Sequence, residues 1–246
     1  MSPEPLDSLL WKSTSAFSGS AAELVPVIRR IQKSNDWAKA DAVADDWAVL
    51  SREIVDGSDL SPAVRLVLPW VVELSRGRRP DELMQAWALI GEVEIGRLLG
   101  KHEPSANPVL NDAAEVAGLA PGTGLTSMQN ELAAAICLLP ILPDWGRLVI
   151  LRMVVLGQRY TSCPACGELL DVERKGTWRI GNEGVEPARA SDERQRFLGI
   201  IREVAITHEA PALQAIDEVV GVVRCPRCNA RNDALAILAH PLQVPA

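Results

Sequence analysis

Cys163-Pro164-Ala165-Cys166-Gly167 and Cys225-Pro226-Arg227-Cys228-Asn229 are the stretches that decide how this chain of 246 residues is read. Two cysteines separated by two residues can hold one metal ion from a single tight turn. Two such turns supply the four thiolates of a closed tetrahedral zinc site. The flanking residues agree. Proline after the first cysteine pre-sets φ. Glycine or asparagine after the second readily takes the left-handed conformation, which folds backbone N–H groups back towards the sulfurs. The expected ligands are therefore Cys163, Cys166, Cys225 and Cys228, with Zn2+ as a structural cofactor. Taken turn by turn, the same spacing also fits two redox dithiols.

Between Cys166 and Cys225 lie 58 residues, too many for an open loop. They must fold by themselves, with the metal closing the ring. Residues 160–166 read as strand and knuckle, and 168–173 with 177–180 as a hairpin turning near Lys175-Gly176. Polar residues 181–192 read as a loop. Ser191 caps a helix carrying Phe197, Ile200, Ile201 and Val204, and Pro211 opens another with Leu213, Ile216, Val219 and Val220. A strand over 222–224 leads into the second knuckle, and a last helix covers about 233–239. Val155-Leu156-Gly157 before the first knuckle and Val219-Val220-Gly221 before the second form an internal echo of helix, glycine stop, short strand and Cys-Pro-x-Cys.

Upstream the pattern is helical. After a loosely held lead-in over 1–19, Ser20 with Glu23 has capping-box spacing and opens a helix with Leu24, Val27, Ile28 and Ile31 on one face. A second helix over about 36–55 carries Trp37, Val43, Trp47, Leu50 and Ile54. Ser61-Pro62 starts a third, kinked at Pro69, and Pro80 opens a fourth with Leu83, Trp87, Ile90 and Ile95. Residues 101–125, rich in Pro and Gly, read as a flexible connection or functional loop with a weak helix near 111–117. Thr126 with Gln129 caps a strongly apolar helix to Leu139, and another follows Pro143. The domain boundary is set between a helical part, 1–143, and a cysteine-bearing part, 144–246.

The chain is 48% hydrophobic but holds only two Phe and one Tyr, so Ala, Leu, Val and Ile carry the packing, which favours helices. Four of its five cysteines are at metal spacing, which argues for a reducing compartment. Cys137 reads as a small core hydrophobe. With no signal peptide in view and no apolar run of about 20 residues, the expectation is a soluble cytoplasmic protein without a membrane partner. Net charge is −7. Residues 1–143 hold 12 Lys+Arg against 19 Asp+Glu, and 144–246 hold 13 of each, so the acidic excess lies wholly in the first part. That surface repels nucleic acid and attracts basic partners.

The stretch Ser61-Pro62-Ala63-Val64 leading into Val67-Leu68-Pro69-Trp70-Val71-Val72-Glu73-Leu74 resembles bacterial HEAT-like repeat proteins, in which one helix begins at Pro and carries an internal Leu-Pro. The helix over 83–95 would then be the second half of the repeat. The segments 149–173 and 219–229 are similar to the split zinc ribbon that ends some proteins of this kind. The resemblance covers 45–100 and the cysteine-flanking segments. It implies a mainly α fold, HEAT-like helical pairs followed by a small α+β zinc-ribbon module. It also implies a partner-binding role, since several such proteins are binding partners or toxin immunity proteins.

The sites divide accordingly. Four thiolates fill all four positions of a zinc ion and leave none for water, so the centre reads as structural. His102, His208 and His240 are not at ligand spacing from a cysteine pair. No phosphate-binding glycine loop, serine elbow or Cys–His arrangement stands out, which argues against an enzyme. Asp41, Asp45, Asp46, Asp56 and Asp59 could bind a basic partner, and equally form a solvated helix face. Trp37, Trp47, Trp70 and Trp87 fall on apolar faces, as core or as anchors. Arg224, Arg227 and Arg231 surround the second knuckle, with Arg174, Lys175 and Arg179 on the hairpin. Three functions follow: non-enzymatic binding of a basic protein such as a bacterial toxin, nucleic-acid binding through these arginines, or a structural role in a phage-tail-like baseplate.

Overall fold

The computed structural model describes residues 2–37, 41–100, 107–118, 124–155, 160–175, 177–181 and 184–239. It is mainly helical with small antiparallel sheets, and divides into two compact units, Met1–Pro140 and Ile141–Ala246. No helix among the described residues is long and apolar enough to cross a membrane.

The first unit runs α1 (Leu10–Ser13), α2 (Val25–Lys33), α3 (Asp41–Ile54), a two-residue hairpin of β1 (Val55–Asp56) and β2 (Asp59–Leu60), α4 (Val64–Ser75), α5 (Met84–Gly100), α6 (Asn107–Gly118) and α7 (Ser127–Leu138). The helix α5 is the hub. It packs on α3, α4, α7 and the hairpin, and is apolar on most of its surface, the pattern of a helix enclosed by its neighbours. Trp87, Leu89, Ile90, Val93 and Ile95 are buried there. So are Glu94 and Arg97, joined by two hydrogen bonds of 2.8 Å. Paired in this way, both charges tolerate the loss of water.

The expected caps fare differently. Thr126 and Gln129 form the reciprocal capping box at the start of α7. Ser20 caps a 3-10 turn, Ala21–Leu24, ahead of α2. Ser61 does not cap α4. Its hydroxyl donates to the Glu53 carbonyl at 3.0 Å and its N–H to that of Ile54 at 3.1 Å. The β1–β2 hairpin folds Ser61 back onto the last turn of α3, whose carbonyls need donors, so α4 begins later, at Val64. The lead-in is tied down rather than loose. Trp11 is buried and donates to Pro5 O at 2.9 Å, and Trp70 donates to Glu4 O at 2.8 Å. Much of the expected 101–125 connection lies outside the described residues, but α6 is longer than the weak helix predicted there.

The second unit runs α8 (Asp144–Val154), β3 (Tyr160–Ser162), β4 (Leu169–Lys175), β5 (Thr177–Ile180), β6 (Glu186–Pro187), α9 (Asp192–Thr207), α10 (Pro211–Gln214), a 3-10 turn, β7 (Gly221–Arg224), β8 (Arg231–Asp233) and α11 (Ala234–Ala239). Two antiparallel sheets form, ordered β3-β4-β5 and β6-β7-β8. On the first, Thr161, Leu170, Val172 and Ile180 are buried while Tyr160, Leu169 and Asp171 face out, the alternation of a sheet wet on one side. Against both sheets lies α11, which packs on α8, β3, β7 and β8. Its final carbonyls are met by buried donors: Arg152 reaches Leu238 O at 3.0 Å and the Thr161 hydroxyl reaches Ile237 O at 2.9 Å. A cation there also suits the negative end of the helix dipole. Ser191 caps α9 as expected.

Candidate metal centre

Each Cys-x-x-Cys turn is the loop of a β-hairpin, and the two hairpins share one register. In the first, Ser162 pairs with Leu169 and Thr161 with Leu170; in the second, Arg224 pairs with Arg231 and Val223 with Asn232. Both ladders therefore close on the residue before the first cysteine. The turns repeat bond for bond. Cys163 N–H donates to Glu168 O at 2.8 Å and Gly167 N–H to Cys163 O at 2.8 Å. Cys225 N–H donates to Ala230 O at 3.0 Å and Asn229 N–H to Cys225 O at 2.9 Å. Gly167 and Asn229 occupy the left-handed region, at φ 73° and 58°, where glycine and asparagine are tolerated best. The likeness stops at the hairpins, because the third strand is added beside β4 in one sheet and beside β7 in the other.

The four sulfurs converge. All lie within 4.8 Å of one another, with Cys163 Sγ to Cys228 Sγ at 3.8 Å and Cys166 Sγ to Cys225 Sγ at 3.6 Å. Four sulfurs about 2.3 Å from a common centre stand about 3.8 Å apart at the corners of a tetrahedron. The spacing is that of ligands around one ion and far longer than a disulfide's roughly 2.05 Å. Cys163 and Cys225 are buried, Cys166 is half-buried and Cys228 is exposed.

Electrostatics around the sulfurs favour a bound cation. Burial raises the Cys225 thiol, but N–H groups of Cys228 and Arg227 and the neighbouring sulfurs outweigh it and bring it down to about 7. At Cys166 the N–H of Glu168 favours the thiolate, yet lost water and the three surrounding sulfurs push it up to about 12. Four thiolates so close cannot all carry charge unaided, and a dication at their centre removes that conflict. The donor set is soft and all-sulfur, which suits zinc or iron and disfavours calcium and magnesium. Asn232, on β8, donates its amide towards Cys163 Sγ at 3.7 Å. Sequence reasoning misses it because β8 has no apolar alternation of its own; the repeated hairpin register is the one signal that places it.

The remaining expected sites are scattered. Asp45, Asp56 and Asp59 are exposed. Asp56 and Asp59 face each other across the β1–β2 hairpin, an arrangement of like charges that costs stability. Asp46 is buried and accepts from Arg30 through both oxygens, at 3.1 Å from Nε. The side chains of Asp41, Arg174, Lys175 and Trp178 lie outside the described residues, as do His102 and His240. His208 is buried at the end of α9. Trp37, Trp47 and Trp87 are core; Trp37 and Trp47 meet edge to face at 5.2 Å, and Arg78 sits over Trp37 at 4.5 Å. Arg224, Arg227 and Arg231 do gather around the second turn, each with an acid. Arg224 and Arg231 share Glu186, at 3.1 and 3.4 Å, and Arg227 takes Glu168 of the opposite turn at 3.2 Å.

No protein-family model, no curated protein and no solved structure matches this chain.

Proposed function

We propose that this is a non-enzymatic protein-binding protein whose second unit is a split zinc ribbon locked by a structural Zn2+ on Cys163, Cys166, Cys225 and Cys228. The observation that carries the reading is the convergence of four sulfurs within 4.8 Å of one another, two pairs at 3.6 and 3.8 Å, drawn from two hairpins of the same register. With four thiolate ligands the ion has no open position for water or substrate, so it holds architecture. The HEAT-like reading of the first unit rests on the sequence resemblance and on its helical content; α4 does pack on α5, but α5 also packs on α3 and α7, so the packing by itself does not single out repeat pairs. The partner we propose is a basic protein, for which a bacterial toxin held by an immunity-type complex is the case the resemblance implies.

Exposed Asp45, Asp56 and Asp59 support a basic partner, since none forms an ion pair among the described residues. Carboxylates already beside Arg224, Arg227 and Arg231 lower the charge a phosphate would meet, which favours protein over nucleic acid.

The test has two parts. Elemental analysis of the purified protein is expected to find zinc stoichiometric with chain; a metal-free protein, or one coloured by iron, sinks the zinc assignment. Capture from the native host is then compared between the natural protein and an Asp45→Asn, Asp56→Asn, Asp59→Asn variant. The expected result is a basic protein whose recovery falls with salt and falls several-fold with the variant, at about 0.2–1 kcal/mol per exposed pair. Recovery of nucleic acid alone, or of a partner indifferent to both changes, overturns the binding proposal.

A further inference from the structure

Each close sulfur pair joins one turn to the other, and in each pair an accessible thiol stands against a buried one. Exposed Cys228 has its Sγ 3.8 Å from that of Cys163, which is 0% exposed. Half-buried Cys166 lies 3.6 Å from Cys225, which is 1% exposed. An oxidant meets the outer sulfur of a pair first, and a second thiolate within a short reach resolves the product into a disulfide. We infer that the four-cysteine centre is a peroxide-modified site: Cys228 is oxidised first, Cys163 resolves it, and the metal leaves while disulfides across the former site keep the two hairpins joined. This rests on the thiolate–metal reading above.

The chemistry balances with a peroxide as oxidant. The Cys228 thiolate attacks hydrogen peroxide; an S–O bond forms, the O–O bond breaks, and hydroxide leaves to become water by taking a proton. The Cys163 thiolate then attacks the Cys228 sulfur; the S–S bond forms, the S–O bond breaks, and a second hydroxide leaves as water. Two thiolates have given two electrons to one peroxide. A dication stripped of two of its four thiolates is held weakly and departs. Cys166 and Cys225 are then left 3.6 Å apart to react in the same way. Bond formation asks each pair to close by less than about 2 Å.

The experiment uses the metal-loaded protein and hydrogen peroxide. Released metal is followed with a chromogenic chelator, and disulfides are mapped by mass spectrometry after digestion without reductant. An organomercurial that titrates every thiol gives the total metal. We expect peroxide to release metal in step with disulfide, and the map to show Cys163 joined to Cys228 and Cys166 to Cys225. A sulfenic-acid trap present during the reaction should label Cys228 ahead of buried Cys163 and Cys225, since access governs thiolate oxidation, and Cys137→Ser should change neither the release nor the map. Should the mercurial release no metal, the metal reading itself fails. Should it release metal where peroxide releases none, or should the disulfides form within each turn, this inference is overturned and the metal reading stands. The disulfide map and the trap are read on the natural protein, so the outcome needs no variant that removes a ligand.

Discussion

Stripping the metal under reducing conditions should loosen the second unit by an amount that chain geometry sets. Cys163 and Cys228 are 65 residues apart in sequence. Closing a loop of that length withdraws about 4 kcal/mol of conformational freedom from the unfolded chain. The second pair, 59 residues apart, closes nearly the same loop and adds little. About 4 kcal/mol corresponds to nearly a thousandfold in an equilibrium constant. Amides of β3, β4, β7 and β8 that exchange by opening of the unit should then exchange up to about a thousandfold faster after chelation. Hydrogen exchange read by mass spectrometry resolves this, with peptides from α5, which carries no ligand, as the internal reference. Oxidising the metal-free protein to the cross-turn disulfides restores the same closure and should restore most of the protection. Equal exchange in β7 and β8 with and without metal would refute the reasoning, because the tie would then be closing nothing.

Gly221→Ala should cost about 2–4 kcal/mol in urea unfolding, because a Cβ there would stand 2.1 Å from the Glu186 carbonyl oxygen and push β6 off β7; an unchanged midpoint would show that β6 is dispensable. Glu53 accepts from Ser18 N–H at 2.9 Å and Ser18 Oγ at 2.7 Å, which hold its carboxyl below its ordinary 4.5. A depressed folded value stabilises above the unfolded one and is lost as pH falls through it, so Glu53→Gln should destabilise by about 1–2 kcal/mol at neutral pH, and calorimetric scans should find that deficit shrinking in acid below 4.5. Changing Arg224 and Arg231 together to Ala should cost under about 1 kcal/mol, as half-buried Arg224 and exposed Arg231 both pair with an exposed Glu186; a larger loss in thermal melts would mean the pair orders the hairpin. Burial pushes the Cys137 thiol up to about 12, so it should resist alkylation at neutral pH in the folded protein, and rapid labelling would contradict its packing beside Ala114.

What could be read in advance was whatever local chemistry specifies. The Cys-Pro-x-Cys turns declared their own conformation, down to the left-handed residue after each, because proline, glycine and asparagine act on φ without help from the rest of the chain. The apolar faces of α2 and α3 were legible for the same reason, since periodicity is a property of the segment. What failed to show was set by distant partners. Ser61 has the makings of a cap, yet the end of α3 takes its hydroxyl. Asp46 looks like part of a solvated face, yet Arg30 draws it inward. Two-residue β6 and three-residue β8 carry no periodic signal, and each exists because β7 offers it a ladder.

The hairpins that carry the four cysteines are held at two levels. At the turns a metal held by the four thiolates would tie them. Along the strands they depend on α11, which follows directly from β8 and buries Leu235, Ile237 and Leu238 against both sheets and α8. Together those three side chains are worth about 4.5–9 kcal/mol of burial, at least the loop closure a bound ion would supply. Arg152 and Thr161 add hydrogen bonds from α8 and β3 to the end of α11, so this second clamp also spans both hairpins. Without a metal, a clamp at least as strong would therefore remain in place. The physical consequence is an order of events. The turn amides of Gly167 and Asn229 give way first, α11 holds the strands in register, and the cross-turn sulfur pairs stay close enough to be rejoined by metal or by oxidation.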